Sequence, residues 1–145
     1  MTTAAQIMHT SAVCIGEHET LAAAARHMRE LGVGALPICG DDDELHGMLT
    51  DRDIVVKCIA EGLDPQSVTA GKLAQNVTYH VDSAARVEDM LAIMEEHQVR
   101  RLPVIDTYRR LVGIVSEADI ARNLPEHLVA EFVKAVCAPQ AVTSG

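Results

Sequence analysis

Aromatic side chains are almost missing from this chain. Its 145 residues include no Trp, two Tyr and one Phe, although 48% of the residues are hydrophobic. The core must therefore be aliphatic, and the aromatic platforms on which single-stranded nucleic acids stack are not available. Basic residues are also few, since 12 Lys and Arg stand against 21 Asp and Glu, for a net charge of −9. This balance argues against general binding to nucleic acid or to an anionic membrane, because phosphate neutralisation needs clustered cations.

Several signals that would place the chain in other classes are missing as well. No run of about 18 apolar residues is present, so no membrane span is expected. The first residues lack a basic stretch followed by an apolar one, so no secretory signal is visible and a cytoplasmic location is expected. The Walker, Gly-x-Ser-x-Gly and Rossmann glycine patterns are absent. We therefore expect no enzymatic activity, no nucleic-acid partner and no membrane partner.

The most informative feature that is present is an internal repeat. A shift of 66 residues aligns the chain with itself without a gap across most of its length. Leu36-Pro37-Ile38 then falls on Leu102-Pro103-Val104, and residues 45–54 fall on 111–120. Two copies of one small unit usually pack together, because each alone has little core. Where the copies differ, we expect function to be divided between them.

Each copy is predicted to fold in the order strand, helix, strand, strand, helix. The predicted boundaries are 1–62 for the first repeat, 63–69 for a polar linker, 70–127 for the second repeat and 128–145 for a C-terminal amphipathic helix and tail. The predicted strands are 13–15, 35–39 and 45–49, then 79–81, 102–105 and 111–115. In the first repeat the residues expected to face inward are Leu21, Ala24, Ala25, Met28 and Leu31 on the first helix, and Ile54, Cys58 and Ile59 on the second. The C-terminal helix is expected to pack onto the body of the protein or onto a partner subunit.

These motifs in combination resemble a tandem pair of CBS domains, the regulatory unit named after cystathionine β-synthase. Both copies contain an apolar-Pro-apolar strand, a polar turn, and then Gly-x-x-Thr/Ser-x-x-Asp at the start of a helix, and the resemblance covers residues 4–60 and 70–126. It implies an α+β fold of two β-α-β-β-α repeats, packed with pseudo-twofold symmetry into one module. It also implies an adenosine nucleotide in a cleft between the repeats, and pairing into a homodimer.

Thr50-x-x-Asp53 and Ser116-x-x-Asp119 open the second helix of each repeat. One interpretation is a capping box, in which the hydroxyl and the carboxylate bind exposed backbone N–H groups and no ligand is needed. In the other interpretation the start of the helix offers N–H groups to a phosphate. The resemblance implies that Asp53 and Asp119 lie at the ribose-contacting position of the family. The two roles are compatible, and both stay open at this point.

Arg100 and Arg101 distinguish the second repeat, because the first has Gly34-Ala35 at the same place. The resemblance implies that a basic residue here reaches a phosphate, and the bidentate geometry of Arg suits that contact. The alternative is an exposed pair that balances two neighbouring glutamates. If the first interpretation holds, the second repeat binds a phosphorylated adenosine, with the ribose on Asp119 and the phosphate on Ser116 and Arg101.

Four cysteines are present, and none belongs to a Cys-x-x-Cys pair, so a zinc ribbon or a thioredoxin motif is unsupported. In the implied fold Cys14 and Cys39 lie on neighbouring strands, where two sulfurs can meet disulfide geometry. They are either buried thiols of a cytosolic protein or a stabilising, redox-responsive disulfide.

The chain contains seven histidines, and histidine is a common metal ligand. No His-x-x-x-His or His-Glu-x-x-His spacing occurs, so no metal site is predicted. If a metal ion does bind, His97 and His127 are its candidate ligands. The acidic run Asp41-Asp42-Asp43-Glu44 is predicted to be a solvated hairpin turn.

Two functions follow from these observations. The first is a non-enzymatic regulatory or sensor module that needs no cofactor and binds an AMP-like or ATP-like nucleotide. Its output would pass through an unidentified protein partner or through its assembly state. The second is a stand-alone, stress-associated CBS dimer without a nucleotide ligand, stabilised or switched by a Cys14–Cys39 disulfide.

Overall fold

The computed structural model describes residues 1–10, 14–74 and 79–139 of the chain. The first half contains α1 (Ala4–Ile7), β1 (Ile15–Gly16), α2 (Leu21–Leu31), β2 (Ala35–Cys39), β3 (Leu45–Thr50) and α3 (Asp51–Ile54), which continues as a π-helical turn over Val55–Ile59. The second half contains α4 (Ala70–Leu73), β4 (Val81–Asp82), α5 (Val87–His97), β5 (Arg101–Ile105), β6 (Leu111–Ser116), α6 (Glu117–Asn123) and α7 (Glu126–Val136). This order confirms the predicted α+β class. The strand predicted at 13–15 is described from Ile15 onward, and residue 13 lies outside the described residues.

Each repeat contributes one three-stranded sheet, with the strand orders β1-β2-β3 and β4-β5-β6. In the first sheet β1 is parallel to β2, with Ile15 opposite Ile38. β3 is antiparallel to β2, with Leu36 opposite Leu49. All five residues of β2 are buried. A strand covered on both faces takes a continuous apolar sequence instead of an alternating one, which explains why β2 is apolar throughout.

Helix α2 begins and ends where the sequence supplies caps. Thr20 Oγ1 accepts the backbone N–H three residues later at 3.1 Å, which is a standard N-cap. Gly32 ends the helix in the left-handed region with φ of 67°, a conformation that glycine adopts without a steric penalty. Leu21, Ala24 and Met28 recur every three or four residues and are buried. The helix therefore presents one apolar stripe to the core of the first repeat.

The chain divides into two compact units that do not follow the sequence repeat in every segment. Among the described residues, one unit contains 1–10, 79–104 and 113–139, and the other contains 14–74 and 105–112. Each unit is therefore built mainly from one repeat, but it also includes a segment from elsewhere in the chain.

The short helices α1 and α4 explain part of this division. The N–H of Ala4 in α1 donates to the carbonyl of Ala85, beside β4, at 2.9 Å. The same contact recurs 66 residues later, where the N–H of Ala70 in α4 donates to the carbonyl of Glu19, beside β1, at 2.7 Å. The leading helix of each repeat is thus held by the sheet region of the other repeat.

The C-terminal helix α7 packs against α5 and α6 within its own unit. Phe132 is 1% exposed and Val136 is buried beside it. The side-chain amide of Gln98 donates to the carbonyls of Ala135 and Ala138, each at 3.1 Å. The predicted amphipathic helix therefore covers the body of the chain. None of the helices in the described ranges has both the length and the apolar character needed to cross a membrane.

Three residues that were expected to face inward are exposed, so those expectations are wrong. Ala25 is exposed, Leu31 is 47% exposed and Ile59 is 55% exposed. Ile59 lies four residues after the exposed Val55, whereas the buried Cys58 lies four residues after the buried Ile54. Since residues four apart share one side of a helix, Ile54 and Cys58 form the inward side and Ile59 belongs to the other. The unit of the first repeat is left with an apolar helical face that no described residue covers.

Candidate functional site

Ser116 and Asp119 form the corner where β6 ends and α6 begins. The N–H of Ser116 donates to Asp119 Oδ2 at 2.9 Å, and the Ser116 hydroxyl donates to the same oxygen at 3.0 Å. The N–H of Asp119 lies 3.4 Å from Ser116 Oγ, which completes a capping box. The local sequence thus fixes the Asp119 carboxylate in place without help from a ligand.

The carboxylate of Asp119 is buried and only partly satisfied. Asp119 is 7% exposed, and its Oδ2 takes a further contact from His9 Nδ1 at 2.7 Å. None of the hydrogen bonds found within the described ranges ends on Oδ1. A buried polar atom without a partner is costly. Oδ1 is therefore the acceptor that remains for a hydroxyl group of a ligand.

The first repeat has the same cap but a fully engaged carboxylate. The N–H of Thr50 donates to Asp53 Oδ2 at 3.0 Å, and the N–H of Asp53 donates to Thr50 Oγ1 at 3.0 Å. Lys57 Nζ lies 3.2 Å from Asp53 Oδ1. Both oxygens of Asp53 therefore have partners, and the two equivalent carboxylates of the repeat differ in what they offer.

Arg101 is exposed at the start of β5 and makes no side-chain hydrogen bond or ion pair with the part of the chain that the structure describes. Its counterpart in the first repeat, Ala35, pairs opposite Thr50. If the second sheet keeps the register of the first, Arg101 lies opposite Ser116 on the neighbouring strand. A free guanidinium next to a serine hydroxyl is suited to binding a phosphate group.

Arg100 has different neighbours from Arg101. Its Nε lies 3.6 Å from Glu117 Oε1 in α6, and its Nη2 lies 3.4 Å from Cys137 Sγ after α7. The side chain is exposed, so an ion pair of this kind contributes little to stability. Of the two arginines, Arg101 is the one with a free charge.

The structure contains a disulfide between Cys14 and Cys39, whose Cα atoms are 5.6 Å apart. Gly16 pairs with Cys39 in the parallel ladder, and Cys14 directly precedes β1, so the sheet brings the two residues together. This Cα separation lies within the range that disulfides adopt. Cys58 is a buried free thiol and Cys137 is an exposed one.

The histidines singled out as metal-ligand candidates are not brought together. His97 stacks on Tyr79 with the ring centroids 3.8 Å apart. Within the described ranges, neither His97 nor His127 joins a group of three ligating side chains. The structure gives these two residues no shared site.

A different set of possible metal ligands lies at the turn between β2 and β3. Single ligating atoms of Asp42, Glu44 and His46 lie within 4.8 Å of one another. His46 Nδ1 also lies 3.3 Å from Glu17 Oε2, and the ring rests against Gly40, where a side chain would collide with it. Imidazole nitrogen and carboxylate oxygen are ligands that zinc accepts. The sequence signal was the spacing of Asp42, Glu44 and His46, which follow one another at intervals of two residues.

Sequence reasoning missed two residues at the capped carboxylates. Lys57 could have been found, because it follows Asp53 by four residues on one helix. His9 had no local signal, since it lies 110 residues from Asp119 in the chain. Only the path of the N-terminal segment along the second repeat brings it there.

Comparison with known proteins places these features in a family. A model of the CBS domain matches residues 4–59 and 74–126. The chain belongs to the CBS-domain family, as the repeated motifs predicted. It is 64% identical over 144 residues to hypoxic response protein 1 of Mycobacterium tuberculosis, a match that covers 99% of this chain and 100% of that protein.

Two solved structures are also similar. A crystal structure of Hypoxic Response Protein I with two coordinated zinc ions is 65% identical, with a TM-score of 0.79 over 86% of this chain and 100% of that chain. A crystal structure of CBSX2 in complex with AMP has a TM-score of 0.72 at 23% identity, over 84% of this chain and 95% of that chain. The second likeness is one of fold alone.

Proposed function

We propose that this chain is a non-enzymatic regulatory module that binds an adenosine nucleotide at the second repeat, with Asp119 as the ribose acceptor. The observation that supports it most is the unfilled Oδ1 of a buried, rigidly capped carboxylate. Two adjacent ribose hydroxyls are donors that such a carboxylate can accept. CBSX2, a protein of the same fold, was crystallised with AMP.

The neighbouring groups suit the phosphate of the same ligand. Arg101 carries a free positive charge, and the register of the first repeat, carried over to the second, supports a position opposite Ser116. Arg100 is a supporting cation that must first leave Glu117. We assign the phosphate to Arg101 and to Ser116, whose hydroxyl must turn from Asp119 to the ligand. Thr50 and Asp53 are the weaker site, because Lys57 already occupies the Asp53 carboxylate.

A nucleotide bound by a module without catalytic groups acts only through its differential affinity for two states. The output is therefore proposed to be a change in a protein partner or in the association of two copies of the chain. We propose a homodimer in the cytoplasm as the working form. The net charge of −9 gives no support for a nucleic-acid or membrane surface as the partner.

The direct test is thermal and calorimetric titration of the reduced protein with AMP, ADP and ATP. Ligand at about 100 times its Kd should add about 2.7 kcal/mol of stability. Asp119→Ala should abolish binding, and Asp119→Asn, which is less disruptive to the cap, should weaken it strongly. The matched control is Asp53→Ala, which removes the equivalent cap and should keep binding. Equal affinity in the Asp119 and Asp53 variants would refute the assignment.

A second candidate function is a nucleotide-free, stress-associated dimer. The specific observation in its favour is the Cys14–Cys39 disulfide, which links two strands of the first repeat. The similarity to hypoxic response protein 1 also supports this candidate. In this candidate function the Cys14–Cys39 disulfide, and not a bound nucleotide, would set the stability of the module.

A zinc ion is a further ligand that we propose for the group formed by Asp42, Glu44 and His46. Support comes from the three ligating atoms within 4.8 Å and from the two zinc ions coordinated in the similar Hypoxic Response Protein I. Zinc titration followed by calorimetry should show binding that His46→Ala weakens at least about tenfold. His18→Ala, which removes an exposed histidine of the same unit, is the control. Identical zinc affinity in both variants would rule this group out.

A further inference from the structure

The contact between His9 and Asp119 has a consequence for any ligand at this carboxylate. His9 Nδ1 lies 2.7 Å from Asp119 Oδ2, and the side chain of His9 is 40% exposed while that of Asp119 is 10% exposed. The imidazole therefore stands between the buried carboxylate and solvent on that side. With the hydroxyl and the N–H of Ser116 on the same oxygen, Oδ2 has no capacity left for another strong donor.

The backbone holds His9 in this position. The N–H of His9 donates to the carbonyl of Ile114 at 3.0 Å, and the N–H of Ile114 donates to the carbonyl of His9 at 3.1 Å. This two-bond bridge fixes His9 to β6, two residues before Ser116. The segment can lie so close because of Gly113, where a Cβ atom would come within 2.9 Å of the carbonyl oxygen of His9. The backbone of His9 is thus held in place at β6, so its contact with Asp119 is part of the fold.

We propose that His9 is an internal competitor for Asp119, and that a nucleotide must displace its imidazole to bind. This inference rests on the proposed function, because it concerns the same carboxylate. A ribose diol recognised by one aspartate uses both carboxylate oxygens, and only Oδ1 is free while His9 is in place. The energy of breaking the His9 contact is subtracted from the binding energy of the ligand, so His9 sets the affinity of the site.

The first repeat shows that a capping box of this kind does not by itself bring a histidine onto its aspartate. There Lys57 approaches Asp53 from the same helix, four residues on, whereas His9 comes from the N-terminal segment held by the second repeat. Any partner or modification that lifts that segment would remove His9 from Asp119. The N-terminal segment that carries His9 therefore couples its own position to the nucleotide affinity of the second repeat.

The test compares AMP and ATP binding to the full chain and to His9→Ala, with His18→Ala as the control, since the His18 side chain is 80% exposed. Loss of a charge-assisted contact at a half-exposed site should tighten binding about fivefold to tenfold. His18→Ala should bind as the parent does. If His9→Ala does not fold, His9→Ser tests the same point.

The outcomes separate this inference from the proposed function. Binding to the parent that depends on Asp119 but is unchanged or weakened in His9→Ala overturns the inference and leaves the function standing. Binding that is detectable only after His9→Ala, and is lost again with Asp119→Ala, supports both. Absence of AMP and ATP binding in the parent and in both His9 variants overturns both.

A ligand-free measurement checks the contact itself. In a double-mutant cycle of unfolding, His9→Ala and Asp119→Ala should be non-additive, because each removes one side of the same interaction. Additive effects would show that His9 does not hold Asp119, and would overturn the inference whatever the nucleotide data give.

Discussion

At the residue scale, the two cysteines of the first repeat give the sharpest expectation. Cys14 and Cys39 are 25 residues apart in sequence with Cα atoms 5.6 Å apart, and a bond closing such a loop stabilises a chain by about 3 kcal/mol. We expect a count of two free thiols in the air-oxidised, denatured protein, from Cys58 and Cys137. Reduction should lower the urea midpoint of the parent.

The matched control is Cys58→Ser, which should leave the reduction-dependent shift in place, whereas Cys14→Ser should remove it. Four titratable thiols in protein that was never reduced would contradict the disulfide. That result would also remove the main support for the nucleotide-free candidate.

The residue scale also shows where sequence reasoning stops. The Ser116-x-x-Asp119 spacing predicted the cap because a capping box depends only on residues three apart. The state of the Asp119 carboxylate could not be predicted, because His9 reaches it across 110 residues. Long-range contacts of this kind depend on the path of the whole chain, and no local periodicity reports on them.

At the scale of elements, the strands and helices could be predicted because the repeat presents each pattern twice. β2 and β5 share the apolar-Pro-apolar motif, and both are found within one residue of their predicted bounds. The inward side of the helix after β3 could be predicted only in part: Ile54 and Cys58 are buried as expected, but Ile59 is exposed. Hydrophobicity alone does not say which of them faces the core.

The contact between α5 and α7 changes the pKa of a carboxyl group on α5. Burial raises the pKa of Glu95 above its ordinary value of 4.5, and the carboxylate of Glu131 on α7 raises it further. The folded chain then binds this proton more tightly than the unfolded chain does. Stability is therefore lost as the pH rises from the unfolded pKa through the raised folded pKa, and the loss is complete above it.

Glu95→Gln should consequently stabilise the protein at neutral pH by about 0.3 kcal/mol, a small effect because Glu95 is only partly buried and solvent screens its charge. Below the ordinary pKa of Glu95 the gain should vanish, since the parent is then protonated in both states. Urea unfolding of the parent and of Glu95→Gln, at neutral pH and at a pH below the ordinary pKa of Glu95, measures this difference in the free energy of unfolding. Glu96→Gln, on the exposed side of the same helix, should show no such pattern. A gain of equal size at acidic pH would contradict the assignment.

At the scale of the whole molecule, the two units differ in what covers their helices. In the unit of the second repeat, α7 packs on α5 and α6. In the unit of the first repeat, exposed apolar side chains lie at the corresponding helices, namely Leu31 on α2, Val33 just after it, and Val55, Val56 and Ile59 on the turn that continues α3. An apolar helical face of this kind marks an interaction surface. The repeat indicates that another helical surface is what fits it.

A second copy of the chain is the occupant we expect. The charges on and beside these helices balance in sign, with Arg26, Arg29, Arg52 and Lys57 against Glu30, Asp51, Asp53 and Glu61. Two copies can therefore approach through this face without the repulsion that a net charge of −9 produces elsewhere. A twofold interface uses the same patch on both subunits, and a patch with balanced charge is suited to pairing with itself.

Ile59→Asp should therefore convert a dimer into a monomer. The substitution places a carboxylate at the apolar face, where a side chain that is 55% exposed in the single chain would be buried in the dimer, and an unpaired buried charge is strongly unfavourable. Light scattering coupled to size exclusion measures the mass directly. Val133→Asp, at a 46% exposed apolar residue of the other unit, should leave the dimer intact. A parent protein that is monomeric, or an Ile59→Asp variant that stays dimeric, would show that copies of the chain do not associate through this face.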